Sequence, residues 1–536
     1  MRKLLQHWLA FHRVMLVVSL AVLSACTTLG PDYEPPKTVE LPSSWNQTNV
    51  ADLSRATADW WTLFNDPVLN KLIELGASQN LSLEAAGLRI VQARAALGIS
   101  DGLIFPQRQQ INGNLAKLYQ NEDSFNSASV GLDVGWEMDI WGKYARGIET
   151  SEANLYASIA SYRNVLVTLT AEVARNYISY RTAQERGYLS RQNIAIQERV
   201  VAMTQVQFDS GNVSELDVQQ AKTQLYGTQS ALPGLTIAQI QSRNALAVLL
   251  GTRPEELEPI LALAEERQVT SYDERLSSID TSPGAEERHM SDYNSQSIIP
   301  TAPPINTTID AQLIMQRPDL QVAELQAQAQ SARIGATQAN LYPQFFLTGS
   351  IGLSDTVRSG DSFSFTDAVT AAVGPGFSWN VFQYDRIKNQ VRIEDARFQE
   401  SLTNYNQQVL EAIREVSNAL EGYRYTLERS KYDHGGVRSA IRAFNISANQ
   451  YNNGLVTYQR LLSTVEKMTL REDVYAQTRG SIANQIVALY KALGGGWEPF
   501  SGAPIVKPTT VEQMRNRTDW GDYLDPNTII GTDRNE

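Results

Sequence analysis

The chain of 536 residues holds a single cysteine, Cys26, and four histidines. One thiol excludes an intrachain disulfide. Only His289 and His434 lie beyond the N-terminal apolar segment, and neither belongs to a metal-ligand cluster. There is no glycine-rich phosphate loop. The carboxylate pairs Glu265-Glu266 and Glu286-Glu287 stand in polar stretches without a partner base, as solvated surface would. These gaps exclude the usual routes to catalysis and leave no metal site and no resident cofactor to expect. Basic clusters are missing too: 46 Lys and Arg face 58 Asp and Glu for a net charge of −12, which argues against nucleic acid as a partner. Proline is absent from residues 144–210 and again from 386–453, which permits two very long helices.

Arg2, Lys3 and Arg13 accompany the apolar run 14–23, a signal-peptide core too short for a membrane span. It ends in Leu23-Ser24-Ala25-Cys26, which resembles the lipobox of bacterial lipoproteins. That resemblance implies cleavage before Cys26, a diacylglycerol on its thiol and an acyl chain on its new amine. Thr27 is not the aspartate that would retain such a protein at the inner membrane, so the outer membrane is expected.

Phe208-Asp209-Ser210-Gly211-Asn212-Val213-Ser214 is echoed by Tyr451-Asn452-Asn453-Gly454-Leu455-Val456-Thr457. The offset from Gly211 to Gly454 equals that from Gly251 to Gly494, so two separate landmarks keep one spacing, as a duplicated structural unit should.

Each unit carries strand patterns. Residues 128–140 alternate strictly, with Ala128, Val130, Leu132, Val134, Trp136, Met138 and Ile140 on one face and small or acidic residues on the other. Residues 345–354 and 371–381 alternate likewise, and 111–118 form a weaker fourth candidate. An apolar face ending in Trp136 and Trp379, opposite a small and polar face, suits transmembrane β-strands with aromatic girdles. Four strands cannot close a barrel, and an open edge in lipid leaves backbone groups unsatisfied. Closure must come from other chains, with eight strands for two chains or twelve for three.

Between residues 144 and 210, Leu155, Ile159, Tyr162, Leu166, Leu169, Val173, Tyr177 and Tyr180 step by threes and fours. Leu402, Tyr405, Val409, Ile413, Val416, Leu420, Tyr423 and Leu427 do the same in the second unit. A helix of this length spans about 100 Å at about 1.5 Å per residue, far beyond a compact core. Rods or a tube are expected. Gly211 and Gly454 would end the long helices with φ > 0, Ser214 and Thr457 would cap the returning ones, and Pro233-Gly234 would break or kink the first return.

Gly30-Pro31-Asp32-Tyr33, Trp60-Trp61-x-x-Phe64-x-Asp66-Pro67-x-Leu69, Gln316-Arg317-Pro318-Asp319 and Leu489-Tyr490-Lys491-Ala492-Leu493-Gly494-Gly495-Gly496-Trp497 follow in order. Together they resemble the TolC-like outer-membrane factor family, in particular the lipoprotein branch of resistance-nodulation-division efflux systems. The resemblance implies an α+β membrane protein: a homotrimer whose 12-stranded transmembrane β-barrel, four strands per chain, continues into a long α-helical periplasmic barrel. It thereby chooses three chains over two. It also implies a passive exit duct for small molecules such as drugs. The duct would be served by a periplasmic adaptor protein and an inner-membrane resistance-nodulation-division pump, which meet it at tips formed by Gly211, Val213, Ser214, Gly454, Val456 and Thr457. Gate candidates are Asp217, Asp209 and Arg460. Where relatives often carry an acid after Leu-Leu, Ser463 follows Leu461-Leu462 here, so a double acidic ring is not expected.

The chain then divides into a signal peptide (1–25), a lipid-anchored N-terminal segment (26–65), a first repeat (66–251), an equatorial linker (252–310), a second repeat (311–494) and an equatorial tail (495–536). Strands are expected near 109–119, 127–140, 344–354 and 369–382, with helical hairpins over 143–251 and 386–494. Two other readings use the same architecture or part of it. One is a type I protein-secretion duct; the other is a lipid-anchored coiled-coil scaffold between envelope layers, which needs no barrel.

Overall fold

A computed structural model describes residues 28–35, 58–120, 123–262, 297–301, 311–358, 360–364 and 368–525. Cys26, the signal segment, His289 and the two carboxylate pairs lie outside the described residues.

The absence of proline has the consequence expected of it. Helix α3 (Lys143–Asp209) and helix α6 (Arg386–Asn452) run for 67 residues each. Both are returned upon by shorter helices, α4 (Glu215–Leu250) and α7 (Tyr458–Ala492). Ahead of the strands lie α1 (Pro67–Gln79) and α2 (Leu81–Gly102) in the first half and α5 (Pro318–Gln338) in the second. Pro233 does not break α4, which is uninterrupted from Glu215 to Leu250. Its ring sits on an exposed stretch, where water can satisfy the carbonyl that proline leaves without a donor.

Strands β1 (Arg108–Gln120), β2 (Asp123–Met138), β3 (Gln344–Arg358) and β4 (Val369–Ser378) form one antiparallel sheet in chain order. The two repeats meet at β2 and β3, with Leu132 opposite Ile351 and Trp136 opposite Leu347. β4 stops at Ser378, short of residue 382, because the chain turns toward α6 through Tyr384 and Asp385, both left-handed at φ 46° and 57°.

The helices continue the strip. Nearer the sheet, α2, α3, α5 and α6 lie side by side in that order; farther away the order is α4, α3, α7, α6. The heptad seams face inward between them: Leu166, Val173 and Tyr177 of α3 and Tyr405, Val409 and Val416 of α6 are buried. Trp60, Trp61 and Phe64 seat the N-terminal segment in the middle of the strip, Trp60 stacking on Tyr490 at 5.6 Å and Trp61 on Phe500 at 5.9 Å. The tail returns as α8 (Pro508–Arg515) against α2, fastened by Lys507 to Glu84 at 2.9 Å.

Residues 28–33 form a strap across the junction of sheet and helices. Leu29 N–H donates to the Trp141 carbonyl (3.1 Å), Arg146 donates to the Leu29 carbonyl (3.1 Å), and Arg146 pairs with Asp32 at 2.8 Å. Gly30, at φ +90°, lies so close to Gly335 that a Cβ on Gly335 would stand 2.3 Å from the Leu29 carbonyl oxygen. Gly335→Ala is therefore expected to cost about 1–3 kcal/mol of stability and to free the strap. Limited proteolysis of the variant should cut near residue 30 sooner than in wild type.

Candidate functional site

The two expected tips share one geometry, bond for bond. At the end of α3, Gly211 N–H donates to Phe208 O (2.8 Å) and Asn212 N–H to Gln207 O (2.9 Å). At the end of α6, Gly454 N–H donates to Tyr451 O (2.9 Å) and Leu455 N–H to Gln450 O (2.8 Å). This pattern closes a helix on a left-handed residue, and the two glycines have φ +77° and +70°. A Cβ at either would meet nothing within 4 Å, so the backbone angle alone calls for glycine. Val213 and Val456 are half-buried beneath the tips, while Ser214 and Thr457 are exposed.

The tips sit at one end of the strip. Beneath them Val200, Ala221, Phe444, Tyr451, Tyr458, Leu461 and Val465 make an apolar cluster drawn from all four helices. The Tyr451 and Tyr458 rings meet edge to face at 6.3 Å. Burial pushes the Tyr458 hydroxyl up to about 12, and the nearby Asp217 carboxylate adds to the rise.

Both caps are in place, with Ser214 and Thr457 in extended conformation ahead of their helices. Ser214 and Asp217 form a capping box: the Ser214 side chain meets the Asp217 N–H, Ser214 N–H donates to the Asp217 carboxylate (2.9 Å), and the Ser214 hydroxyl lies 2.6 Å from the same oxygen. The two contacts to the carboxylate hold the Asp217 carboxyl below the usual range. Thr457 makes no side-chain cap bond, and the residue matching Asp217 is the exposed Arg460, a cation in the first turn of a helix. Asp209, the last residue of α3, accepts from Gln205 at 2.9 Å.

At the other end, the sheet exposes its apolar face. Ile111, Leu115, Val373 and Phe377 are 71–82 % exposed, and the register aligns Ile111, Leu132, Ile351 and Ala371 in one row across all four strands. Trp136 and Trp379 stand at the helix-side rim, their indoles donating to Ile104 O (2.9 Å) and Leu341 O (3.0 Å). No described helix is long and apolar enough to cross a membrane. The sheet is the part of the described chain shaped for lipid.

The outer membrane efflux protein family model matches residues 72–252 and 311–495, one match per repeat. The chain belongs to this family. It is 25% identical over 490 residues to the probable outer membrane lipoprotein SilC of Salmonella typhimurium, covering 90% of this chain and 99% of SilC. It is 27% identical to the outer membrane protein OprJ of Pseudomonas aeruginosa, covering 91% and 96%. The outer-membrane channel OprN superposes with a TM-score of 0.72 at 29% identity over 88% of this chain and all of that one. The open-state MtrE channel of Neisseria gonorrhoeae shares the fold, with a TM-score of 0.72 at 22% identity, over 88% of this chain and 99% of that one.

The fold class follows: three chains, four strands each, make a 12-stranded barrel in the outer membrane, continuous with a long helical barrel in the periplasm. The protein is an outer-membrane exit duct. The free edges of the strip become the seams of the trimer. β1 and β4 are the unpaired sheet edges, and α4 and α6, the outer helices of the strip, carry exposed apolar residues: Leu216, Tyr226 and Ile237 on one, Leu410, Tyr425 and Tyr432 on the other.

The Trp60–Leu69 and Gln316–Asp319 motifs prove to be fasteners at mid-strip. Asp66 accepts from Val68 N–H and Leu69 N–H and from the Tyr177 hydroxyl, which in turn accepts from the buried Arg181. Arg317 donates to the Ala492 carbonyl and pairs with Asp319 and Glu415, tying α5 to the end of α7. Sequence reasoning missed Arg146, Arg181 and the Arg186–Asp473 fork (2.7 and 3.0 Å), because what marks them out is a partner far along the chain: Leu29 and Asp32 for Arg146, Leu261 for Arg181 and Asp473 for Arg186.

Two outcomes follow. Leu410→Asp with Tyr425→Asp should abolish the trimer on size-exclusion chromatography, since each buried apolar side chain at a seam is worth about 1.5–3 kcal/mol. Asp217 has a lowered folded pKa, so its contribution to the tip is present above the unfolded carboxylate value and is lost as pH falls through the folded one. Amide-exchange protection factors at residues 214–218, taken relative to the intrinsic exchange rate at each pH, should fall on acidification, and Asp217→Ala should remove that pH dependence of protection.

Proposed function

We propose that the protein conducts small molecules such as drugs outward, passively and without chemistry of its own, for an inner-membrane resistance-nodulation-division pump reached through a periplasmic adaptor. The observation that carries this reading is the pairing of tips. Two exposed helix turns of the same backbone geometry lie at the end of the strip farthest from the membrane sheet, and six in a trimer would give a repeating surface for adaptor subunits. The docking residues in this reading are Gly211, Val213, Ser214, Gly454, Val456 and Thr457, with Asp217, Asp209 and Arg460 at the gate. The relatives support the efflux assignment, OprJ and SilC by family and the toluene efflux pump outer membrane protein TtgF of Pseudomonas putida by its own role.

Cys26 carries the lipid in this proposal, as S-diacylglycerol and N-acyl groups. The strap supports it: Thr28 packs against Gly142 at the sheet–helix junction, beside the rim where Trp136 and Trp379 stand. An anchor two residues earlier in the chain would enter the inner leaflet of the outer membrane. Labelled palmitate should be incorporated into wild type and lost in Cys26→Ser.

Photo-cross-linkers at positions 213 and 456 in cells should capture an adaptor of a resistance-nodulation-division pump. Capture of an adaptor from an ABC-type secretion system would overturn the drug-efflux reading in favour of protein secretion. Purified trimer in planar bilayers should conduct ions, and absence of any conductance under conditions that open the tips would sink the duct itself.

A further inference from the structure

We propose that the barrel of this duct is a charge-compensated passage, in which each charged side chain that the described strand residues turn to the lumen is matched by a counter-charge of its own chain, so that it discriminates by size and not by charge. The inference rests on the reading of the protein as a conducting duct.

The register assigns the faces. Residues paired across an antiparallel sheet share a face, and the face opposite the apolar row carries Arg108, Gln110, Asn112 and Asn114 on β1. On β2 it carries Asp123, Ser129, Gly131, Asp133 and Glu137; on β3, Thr348, Ser350, Gly352, Ser354 and Arg358; on β4, Thr370, Ala372 and Gly374. With the apolar face in lipid, this one borders the lumen. Among the described strand residues, its charges are Arg108, Asp123, Asp133, Glu137 and Arg358.

Each finds an opposite partner. Arg108 pairs with Asp133 at 3.4 Å, and Arg358 with Asp123 at 2.6 Å. Glu137 pairs with Lys143, at the start of α3, at 3.0 Å. Three positive and three negative groups per chain balance among these pairs; Asp139, just past β2 on the same alternation, is held instead by Ala145 N–H at the N-terminus of α3 at 2.8 Å. Asn112 donates to the same Asp133 oxygen at 2.7 Å, which fixes the carboxylate over the sheet. Between the pairs nearer the helices and the pair at the far mouth, the wall is Gly131, Gly352, Ser129 and Ser354, residues that take little space and carry no charge.

Surface pairs of this kind contribute little to stability, since solvent screens them and ordering long side chains opposes the gain. Their consequence here is for the field in the pore. Rings of like charge make a pore select cations or anions. Three copies of a neutral pair make dipoles whose fields fall off within the Debye length, about 8 Å at physiological ionic strength. Cargo of either sign then meets no electrostatic barrier in the membrane-spanning section, consistent with selection by the pump.

The test is the reversal potential of the full-length trimer in a planar bilayer under a KCl gradient. Asp133→Asn leaves three Arg108 guanidinium groups without a counter-charge and should shift selectivity toward anions. Arg108→Gln leaves three Asp133 carboxylates and should shift it toward cations. The double variant should return to the wild-type potential. Asp123→Asn and Arg358→Gln repeat the experiment at the far mouth, should either base-side variant fail to assemble. Conducting trimers in which the single variants leave the potential unchanged, or move it in one direction, would overturn compensation while leaving the duct intact. A protein that never conducts would instead remove the reading on which it rests.

Discussion

The hydrogen-bonding demand of the β-sheet in lipid governs the rest of the molecule. Inside a bilayer an unsatisfied N–H or C=O costs several kcal/mol, and the outer edges of β1 and β4 present a row of them. One chain therefore cannot be a finished membrane protein. Because each strand edge continues through a short connection into a helix, the open edges are propagated along the strip, from β1 and β4 to α2, α4 and α6. The exposed apolar residues of α4 and α6 are the continuation of the same problem in water. Trimer closure solves both with one operation.

A wall one helix thick imposes a second constraint. Such a wall has water on both sides, so its interior can bury only narrow apolar seams, and the seams are broken into separate clusters along the length. Between clusters the α3–α7 contact is polar: Arg186 forks onto Asp473, and Asn193 donates to the buried Glu472 at 3.0 Å. Such contacts contribute less stability than an apolar contact of the same size would, but they specify register. A 67-residue helix that met its neighbour through leucines alone could slide by a turn, and a sliding α3 would carry its tip about 5.4 Å out of line.

The large features were legible because they are periodic. Alternation at Ala128 to Met138 and at Phe345 to Leu353 placed β2 and β3, and the weak alternation at Ile111 to Leu118 was enough for β1. Glycine with φ > 0 at 211 and 454 was readable from position relative to the apolar steps. What escaped was non-periodic. Pro233 gave a strong local signal to break α4, but an exposed site with water for the freed carbonyl lets the helix continue. The strap at Leu29 to Tyr33 was legible as a motif and not as a fastener, because its partners Arg146 and Gly335 bear no relation to it in spacing. The charge matching on the lumen face was hidden for the same reason: Asp123 and Arg358 belong to different repeats.

The duplication is complete in the backbone and incomplete in charge, and the helix dipole shows where. Asp217 in the first turn of α4 is favoured by its own helix and held by Ser214, so local structure accounts for it. Arg460 at the matching place in α7 opposes its helix dipole, and Asp209 at the last residue of α3 opposes its own; each misplacement costs about 0.3–1 kcal/mol. Neither charge is buried, and neither is required by the turn, which Gly211 and Gly454 close without them. Of the three gate candidates, Asp209 and Arg460 are thus the ones that local stability does not explain. One is an acid and the other a base, on neighbouring tips, so the two tips of a chain share a backbone and differ in charge.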